Sequence, residues 1–165
     1  MQGVTLELRA NLDKKIQLET GFTVQSSEFD DAVEYIEGVE GIREFIRTPN
    51  DYGYATLSFT PNKKFNANLN YVYTGKMIMP HFAGAPNQLV DEMYTSDAFS
   101  ELSAKIGYTI GVEKMQSKVE FYGGLKNIFN SYQSNFDIGK NRDSNFVFGP
   151  SLPRTFYIGI KLMSK

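Results

Sequence analysis

Few side chains in this sequence are of the types that carry out catalysis. His81 is the only histidine, and it lies in the segment Met79-Pro80-His81-Phe82. A single histidine beside a proline is more typical of a structural contact than of acid–base chemistry, which needs partner groups. The chain has no cysteine, which excludes thiol nucleophiles, disulfides and cysteine-bound metals. Gly38-Val39-Glu40-Gly41 lacks the Gly-Lys-Ser/Thr of a phosphate-binding loop, so the sequence predicts that the protein is not an enzyme.

Acidic side chains are the second group with chemical potential. Calcium sites need several hard oxygen ligands at ordered spacing, and the spacing here matches no ordered calcium loop. Solvated loop carboxylates are the alternative interpretation. We therefore expect no metal, no cofactor and no catalytic residues, and we assign no ligand-binding residues. The acidic groups are Glu28-Asp30-Asp31, Glu34-Glu37-Glu40 and Asp91-Glu92.

Composition limits the remaining classes of protein. The 165 residues suffice for one domain, and the net charge of -2 is scattered, so no nucleic-acid partner is expected. No run of 18 apolar residues occurs, which excludes a transmembrane helix. Transmembrane strands stay open, because they alternate between apolar and polar residues. Aromatic residues make up 14% of the chain and favour strands.

The dominant pattern is an alternation of apolar and polar residues with a period of two. In 65–74, for example, Phe65, Ala67 and Leu69 alternate with asparagines. The pattern predicts an all-β fold, an antiparallel up-and-down meander of about seven strands, with no long helix. Residues 29–45 are expected to hold a short helical turn or a loop hairpin. The predicted strands are 4–12, 16–25, 52–60, 65–74, 102–112, 118–126 and 154–163.

The connections between these strands alternate in length. Short turns are predicted near 12–14, 60–63 and 112–116. Long loops are predicted near 26–50, 76–97 and 130–153. One rim of the meander should therefore carry only short turns and the other only long loops, as in outer-membrane barrels.

Periodicity alone does not say which face of the sheet meets water. A soluble sandwich or lipocalin-like barrel, binding a small apolar ligand, has the same alternation with its apolar face inward. Two features favour a membrane barrel. The polar face carries Asn66, Asn68 and Asn70, as a wet lumen does, and the apolar face carries aromatics such as Tyr73 and Phe156 near strand ends.

Two segments carry a family resemblance. Residues 121–130 read Phe-Tyr-Gly-Gly-Leu-Lys-Asn-Ile-Phe-Asn, and residues 148–162 begin Phe-Gly-Pro-Ser-Leu-Pro-Arg-Thr. The first resembles the penultimate strand of TonB-dependent outer-membrane receptors, with its Gly-x-x-Asn-Ile/Leu-Phe-Asp/Asn pattern. The second resembles their final strand, with its Gly-Pro…Pro-Arg-Thr/Ser entry. The likeness is sharp over about the last fifty residues and general elsewhere.

The resemblance implies that the chain is the C-terminal part of such a receptor, with the plug domain and most of the barrel missing. The expected location is the outer membrane of a Gram-negative type of cell. The expected partners are the rest of the barrel, the plug, membrane lipids and an imported ligand. A ferric siderophore is the first expectation for that ligand, followed by cobalamin, haem or a glycan. Loop residues Tyr94, His81, Tyr132 and Arg142 could contribute to ligand contact, but packing between the loops is the favoured interpretation of each one, so none is assigned as a binding residue.

A further expectation concerns the isolated chain. Seven strands are about a third of the 22-stranded ring that the family builds. An open sheet has two unpaired edges, which hydrocarbon does not satisfy. We therefore expect the isolated chain to self-associate through its edges, to need detergent, or to turn its apolar face inward as a non-native soluble sheet.

Overall fold

The computed structural model describes residues 1–112 and 116–164. Over these residues the protein is all-β and contains no helix. No helix in this part of the chain could therefore cross a membrane. The main sheet has seven antiparallel strands: β1 (Gln2–Leu12), β2 (Ile16–Ser26), β5 (Asp51–Phe59), β6 (Phe65–Thr74), β9 (Phe99–Val112), β10 (Ser117–Lys126) and β11 (Thr155–Ser164). They pair in the order β1-β2-β5-β6-β9-β10-β11, which confirms the predicted meander.

Two small hairpins lie within the long connections. β3 (Glu28–Val33) pairs with β4 (Ile42–Glu44), so the segment 29–45 forms the hairpin rather than the helical turn. β7 (Ile78–His81) pairs with β8 (Glu92–Thr95), a hairpin that the alternation did not predict. Strands of four residues are too short for a periodic signal to stand out.

Local backbone chemistry closes the short turns. Between β1 and β2, Lys15 N donates to Leu12 O at 3.1 Å, and Asp13 and Lys14 have φ values of 51° and 56°. Two consecutive positive φ values characterise the turn whose twist suits a hairpin. Between β5 and β6, Asn62 Oδ1 accepts hydrogen bonds from Lys64 N at 2.8 Å and from Phe65 N at 3.0 Å. The third predicted turn, near 112–116, lies partly outside the described residues.

Strand register separates the sheet into two faces of opposite character. Directly paired residues share a face, and at one level these are Leu12, Ile16, Phe59, Ala67, Ile106, Gly123 and Ile158. We call this side the apolar face. The adjacent row of paired residues points to the opposite side of the sheet, which we call the polar face. This row includes Asn11, Gln17, Ser58, Asn68, Lys105 and Gly124.

The apolar face is uncovered. Val4 is 76% exposed and Ile158 is 92% exposed, and large apolar side chains between these two edge strands are exposed as well. The buried apolar residues of the described chain lie instead in the long connections or at the strand end beside them: Ile36, Met77, Met79, Ala85, Phe99 and Phe146. A soluble sheet normally buries its apolar face. This sheet has no hydrophobic core of its own.

Tyrosine rings on the polar face lie over glycines of neighbouring strands. Tyr54, Tyr122 and Tyr157 are the direct register partners of Gly21, Gly159 and Gly124. A Cβ at Gly21 would lie 2.6 Å from Tyr54 Cε1, and one at Gly124 would lie 2.6 Å from the Tyr157 hydroxyl oxygen. The glycines therefore make room for the rings, which shield backbone that glycine leaves open.

The sheet is open at both sides and staggered along its strands. β1 and β11 each have one neighbouring strand. Leu12 and Ile16, which close the first hairpin, are aligned with Ile106 of β9 through the intervening strands. β9 continues past this level to Val112, where it pairs with Ser117 at the start of β10. The short-turn rim thus shifts along the strand direction from the first hairpin to the third, as in sheets with tilted strands.

Candidate functional site

The three long connections pack together at one rim of the sheet. They span 27–50, 75–98 and 127–154, and we call them together the loop cluster. Arg47 joins the first to the other two, since its backbone NH donates to Ile78 O at 2.8 Å and its Nη1 to Val147 O at 3.0 Å. Phe82 N in the second connection donates to the Asp143 carboxylate in the third, at 3.2 Å. The three loops at this rim are therefore joined to one another by hydrogen bonds.

His81 lies at the centre of this assembly. Its ring stacks on Phe146, with centroids 3.5 Å apart and planes 3° apart. His81 Nε2 lies 3.1 Å from both oxygens of the Asp137 carboxylate, and both residues are buried. The Tyr94 ring meets the stacked pair edge-on. Met77 and Met79 complete a small apolar core around Phe146.

Gln133 fixes the third connection from inside. Its Nε2 donates to Phe146 O at 3.1 Å, and its Oε1 accepts from Phe148 N at 2.9 Å and Gly149 N at 3.3 Å. The side chain is fully buried, and a buried amide needs such partners. One side chain thereby holds the backbone around Phe146 in place.

The two segments that resemble the receptor family bond to each other at the base of the third connection. Asn127 Nδ2 donates to Ser131 O and to Leu152 O, both at 2.9 Å. Arg154 Nε donates to Ile128 O at 2.8 Å, and Arg154 N donates to Asn130 Oδ1 at 2.9 Å. We call this set the loop clamp. It joins the end of β10 to the start of β11.

The sequence-derived candidates occupy different positions. His81 is buried in the loop core, and Tyr94 packs there too, with its hydroxyl accepting from Asn135 Nδ2 at 3.1 Å. Tyr132 and Arg142 are exposed. The structure therefore gives His81 and Tyr94 packing roles, whereas Tyr132 and Arg142 lie on the surface of the loop cluster.

The acidic groups do not assemble. In 1–112 and 116–164, no three acidic or histidine side chains are placed to hold a metal ion. Glu34 accepts from Gly38 N at 2.6 Å, and Asp91 accepts from Ala83 N at 2.7 Å. These two carboxylates therefore bond to loop backbone.

Sequence reasoning missed three residues of the loop core: Gln133, Asp137 and Phe146. They lie in a connection without strand or helix, where no periodicity marks a buried position. The two phenylalanines of the segment Phe146-Val147-Phe148 were the only feature of the sequence that could have indicated a buried position in this connection. A polar residue such as Gln133 is buried here because backbone groups of the folded loop satisfy it.

Comparison with models of known protein families found no match, and comparison with curated proteins found none either.

Proposed function

We propose that this chain is a wall segment of an outer-membrane β-barrel, with its apolar face toward lipid and its polar face toward the lumen. The observation that carries the proposal is the apolar face, which extends across all seven strands of the sheet and is uncovered. The strands are 9 to 14 residues long. About 9–11 residues of tilted strand cross a membrane, so each strand is long enough.

The stagger of the short-turn rim supports the same proposal. Closing a sheet into a barrel requires strands that tilt and a hydrogen-bond register that shifts around the ring. The free edges of β1 and β11 are the places where further strands of the barrel would pair. Unpaired backbone groups in hydrocarbon cost several kcal/mol each, roughly, so the membrane itself would favour this pairing.

The polar face suits a wet lumen. Its side chains bond across strands, as when Ser58 Oγ donates to Asn68 Oδ1 at 2.9 Å and Asn66 Nδ2 donates to Glu120 Oε1 at 3.0 Å. Lys105 Nζ lies 4.6 Å from the centre of the Tyr122 ring. Such a surface is hydrated and carries charges that lipid would not accept.

The motifs and the loops support the choice of barrel class. The loop clamp bonds the two segments that resemble TonB-dependent receptors, which gives both motifs a shared structural role. The loop cluster is held together by hydrogen bonds, and such a preorganised surface is of the kind that a receptor presents to its ligand. We therefore assign the chain to a receptor that imports a scarce ligand across the outer membrane of a Gram-negative type of cell. A ferric siderophore is the first choice of ligand.

The barrel proposal is tested by comparing the chain in plain buffer and in detergent, using sedimentation velocity and circular dichroism. We expect a β-rich species in detergent and large, polydisperse assemblies in buffer, since exposed edges and an apolar face drive association. A compact monomer that unfolds cooperatively in buffer would contradict the proposal and favour a lipocalin-like barrel instead.

The receptor assignment is tested separately on the detergent-folded chain. Tyrosine fluorescence is followed while ferric siderophores, haem, cobalamin and an oligosaccharide are added in turn. Saturable quenching by a ferric siderophore supports the assignment, and a response to another of these ligands changes the ligand only. A folded chain that responds to none of them contradicts a receptor role and leaves the membrane wall standing.

A further inference from the structure

A small depression lies on the apolar face, close to the loop cluster. It has a volume of about 460 Å³ and lies among β2, β5 and β6. We call it the rim notch. The side chains that matter for its chemistry are Thr20, Phe22, Asp51, Ala55, Tyr71 and Tyr73.

Small residues on the central strand create the notch. Gly53 and Ala55 of β5 stand between the larger side chains of β2 and β6, because Phe22 and Tyr73 are the partners of Gly53. The Phe22 and Tyr73 rings lie 6.3 Å apart, with planes 24° apart. The Tyr71 hydroxyl shares a hydrogen bond of 3.0 Å with Ser100 Oγ, which holds that ring as the other wall.

One carboxylate stands at the loop end of the notch. Asp51 is the only charged residue that the register places on the apolar face within the described strands. Its carboxylate lies beside the Tyr73 hydroxyl and over Gly75, where a Cβ would collide with it. It forms no ion pair with any Lys or Arg of 1–112 and 116–164. A charge facing lipid is costly and marks a functional position unless a partner or water compensates it.

The surface below the notch is purely aliphatic. Leu18, Leu57 and Leu69 are direct cross-strand partners, two residues nearer the middle of the sheet than Thr20, Ala55 and Tyr71. The apolar face therefore presents, from the loop rim inward, a carboxylate, aromatic walls and a row of leucines. This spatial order of chemical groups is complementary to an amphiphile with a cationic head group and an acyl chain.

We propose that the rim notch binds the ammonium head group of a membrane lipid, with its acyl chain lying on the three leucines. A carboxylate forms charge-assisted hydrogen bonds with an ammonium group, and aromatic ring faces attract the same cation. This inference rests on the proposed function, because it requires the apolar face to meet lipid. It adds a selective site for one lipid chemistry at one place on that face.

The test measures lipid retention by native mass spectrometry on the detergent-folded chain. The probes are phosphatidylethanolamine, phosphatidylglycerol and N-acetylated phosphatidylethanolamine, which keeps the acyl chains but lacks the ammonium charge. We expect the unmodified amine lipid to be retained about tenfold better than the other two, consistent with a desolvated charge contact. Asp51→Asn should remove the difference, and Gly75→Ala should reduce it by displacing the carboxylate.

Asp31→Asn is the matched control, since Asp31 is exposed in the β3–β4 hairpin away from the notch. It should retain the amine lipid like the original chain. Equal retention of all three lipids, or full selectivity in Asp51→Asn, would overturn the inference. Circular dichroism separates the two proposals: a chain that stays unfolded in detergent contradicts both, whereas a folded chain without selectivity contradicts only the lipid site.

Discussion

The contacts of Asn127 give a physical reason for the asparagine in the sequence motif at 121–130. It is buried, its φ is 49°, and its side-chain amide bonds backbone groups on both sides of the third connection. Asparagine tolerates positive φ better than most residues and can also donate and accept through its side chain. Both properties are used here, which explains why this residue type suits the position.

Replacing Asn127 should loosen the junction of β10 and β11. We expect Asn127→Ala to lower the free energy of unfolding by about 2–4 kcal/mol, because several hydrogen bonds to buried groups are lost. Asn127→Gly loses the same bonds but keeps the positive φ, so it should be roughly 1 kcal/mol less destabilising. Urea unfolding of the detergent-folded chain measures both.

The control for this experiment is Asn141→Ala, at an exposed asparagine of the same connection. Its unfolding midpoint should stay at the original value. A midpoint that stays there in Asn127→Ala as well would mean that the loop clamp does not stabilise the fold.

Residue-level contacts were only partly accessible from the sequence. The family resemblance drew attention to Asn127, Asn130 and Arg154, but not to the hydrogen bonds that they form across the third connection. Those bonds join residues about 25 positions apart, and no local pattern encodes such a pairing. Asp51 was also missed, because one acidic residue at the start of a strand looks like an ordinary turn residue.

Among the elements, the seven long strands were predictable and the loop cluster was not. Alternation repeats over 9 to 14 residues in each strand, so the period-two signal is strong. The two bounds of each predicted strand lie within a few residues of the observed ones, as expected for frayed ends. The loop core depends on non-periodic contacts such as the His81–Phe146 stack, which arise only after the sheet has placed the three connections side by side.

The loop core should therefore open independently of the sheet. Phe146 is 1% exposed, and Phe146→Ala removes a large buried ring, a change that costs about 3–5 kcal/mol in a packed core. We expect the loop cluster to become sensitive to limited proteolysis in detergent while the β-sheet signal in circular dichroism is kept.

Phe129→Ala tests whether the response is specific. Phe129 belongs to the same connection but is 55% exposed, so its loss should leave the cleavage rate unchanged. Equal sensitivity of the two variants, or resistance of Phe146→Ala, would show that the buried aromatic cluster does not hold the loops together.

At the scale of the whole molecule, the unusual feature is the location of the apolar surface. Apolar side chains cover one side of the sheet, while the buried core is confined to the loop rim. The sequence predicted the two-faced sheet but left open which face meets water. That choice depends on what covers each face, and alternation is identical in the two cases.

A charge placed on each face distinguishes them. Leu57→Arg puts a guanidinium on the apolar face, where contact with the apolar part of the detergent should cost about 2–4 kcal/mol of stability, as contact with lipid does. Thr56→Arg is the adjacent control on the polar face and should cost less than about 1 kcal/mol. Urea unfolding of the detergent-folded chain measures both, and equal costs would contradict a lipid-facing apolar side.

The number of strands has a directional consequence. In an antiparallel meander of seven, the first and last strands, β1 and β11, run the same way, both from the loop rim to the short-turn rim. A ring built only from copies of this chain, with their loops on the same side, would contain one parallel seam at every junction between copies. An odd number of additional strands between β11 and β1 would make every pair in the ring antiparallel, which is the arrangement of bacterial outer-membrane barrels. If the proposed barrel is correct, strand polarity therefore favours a ring completed by different strands over a ring made of copies of this chain.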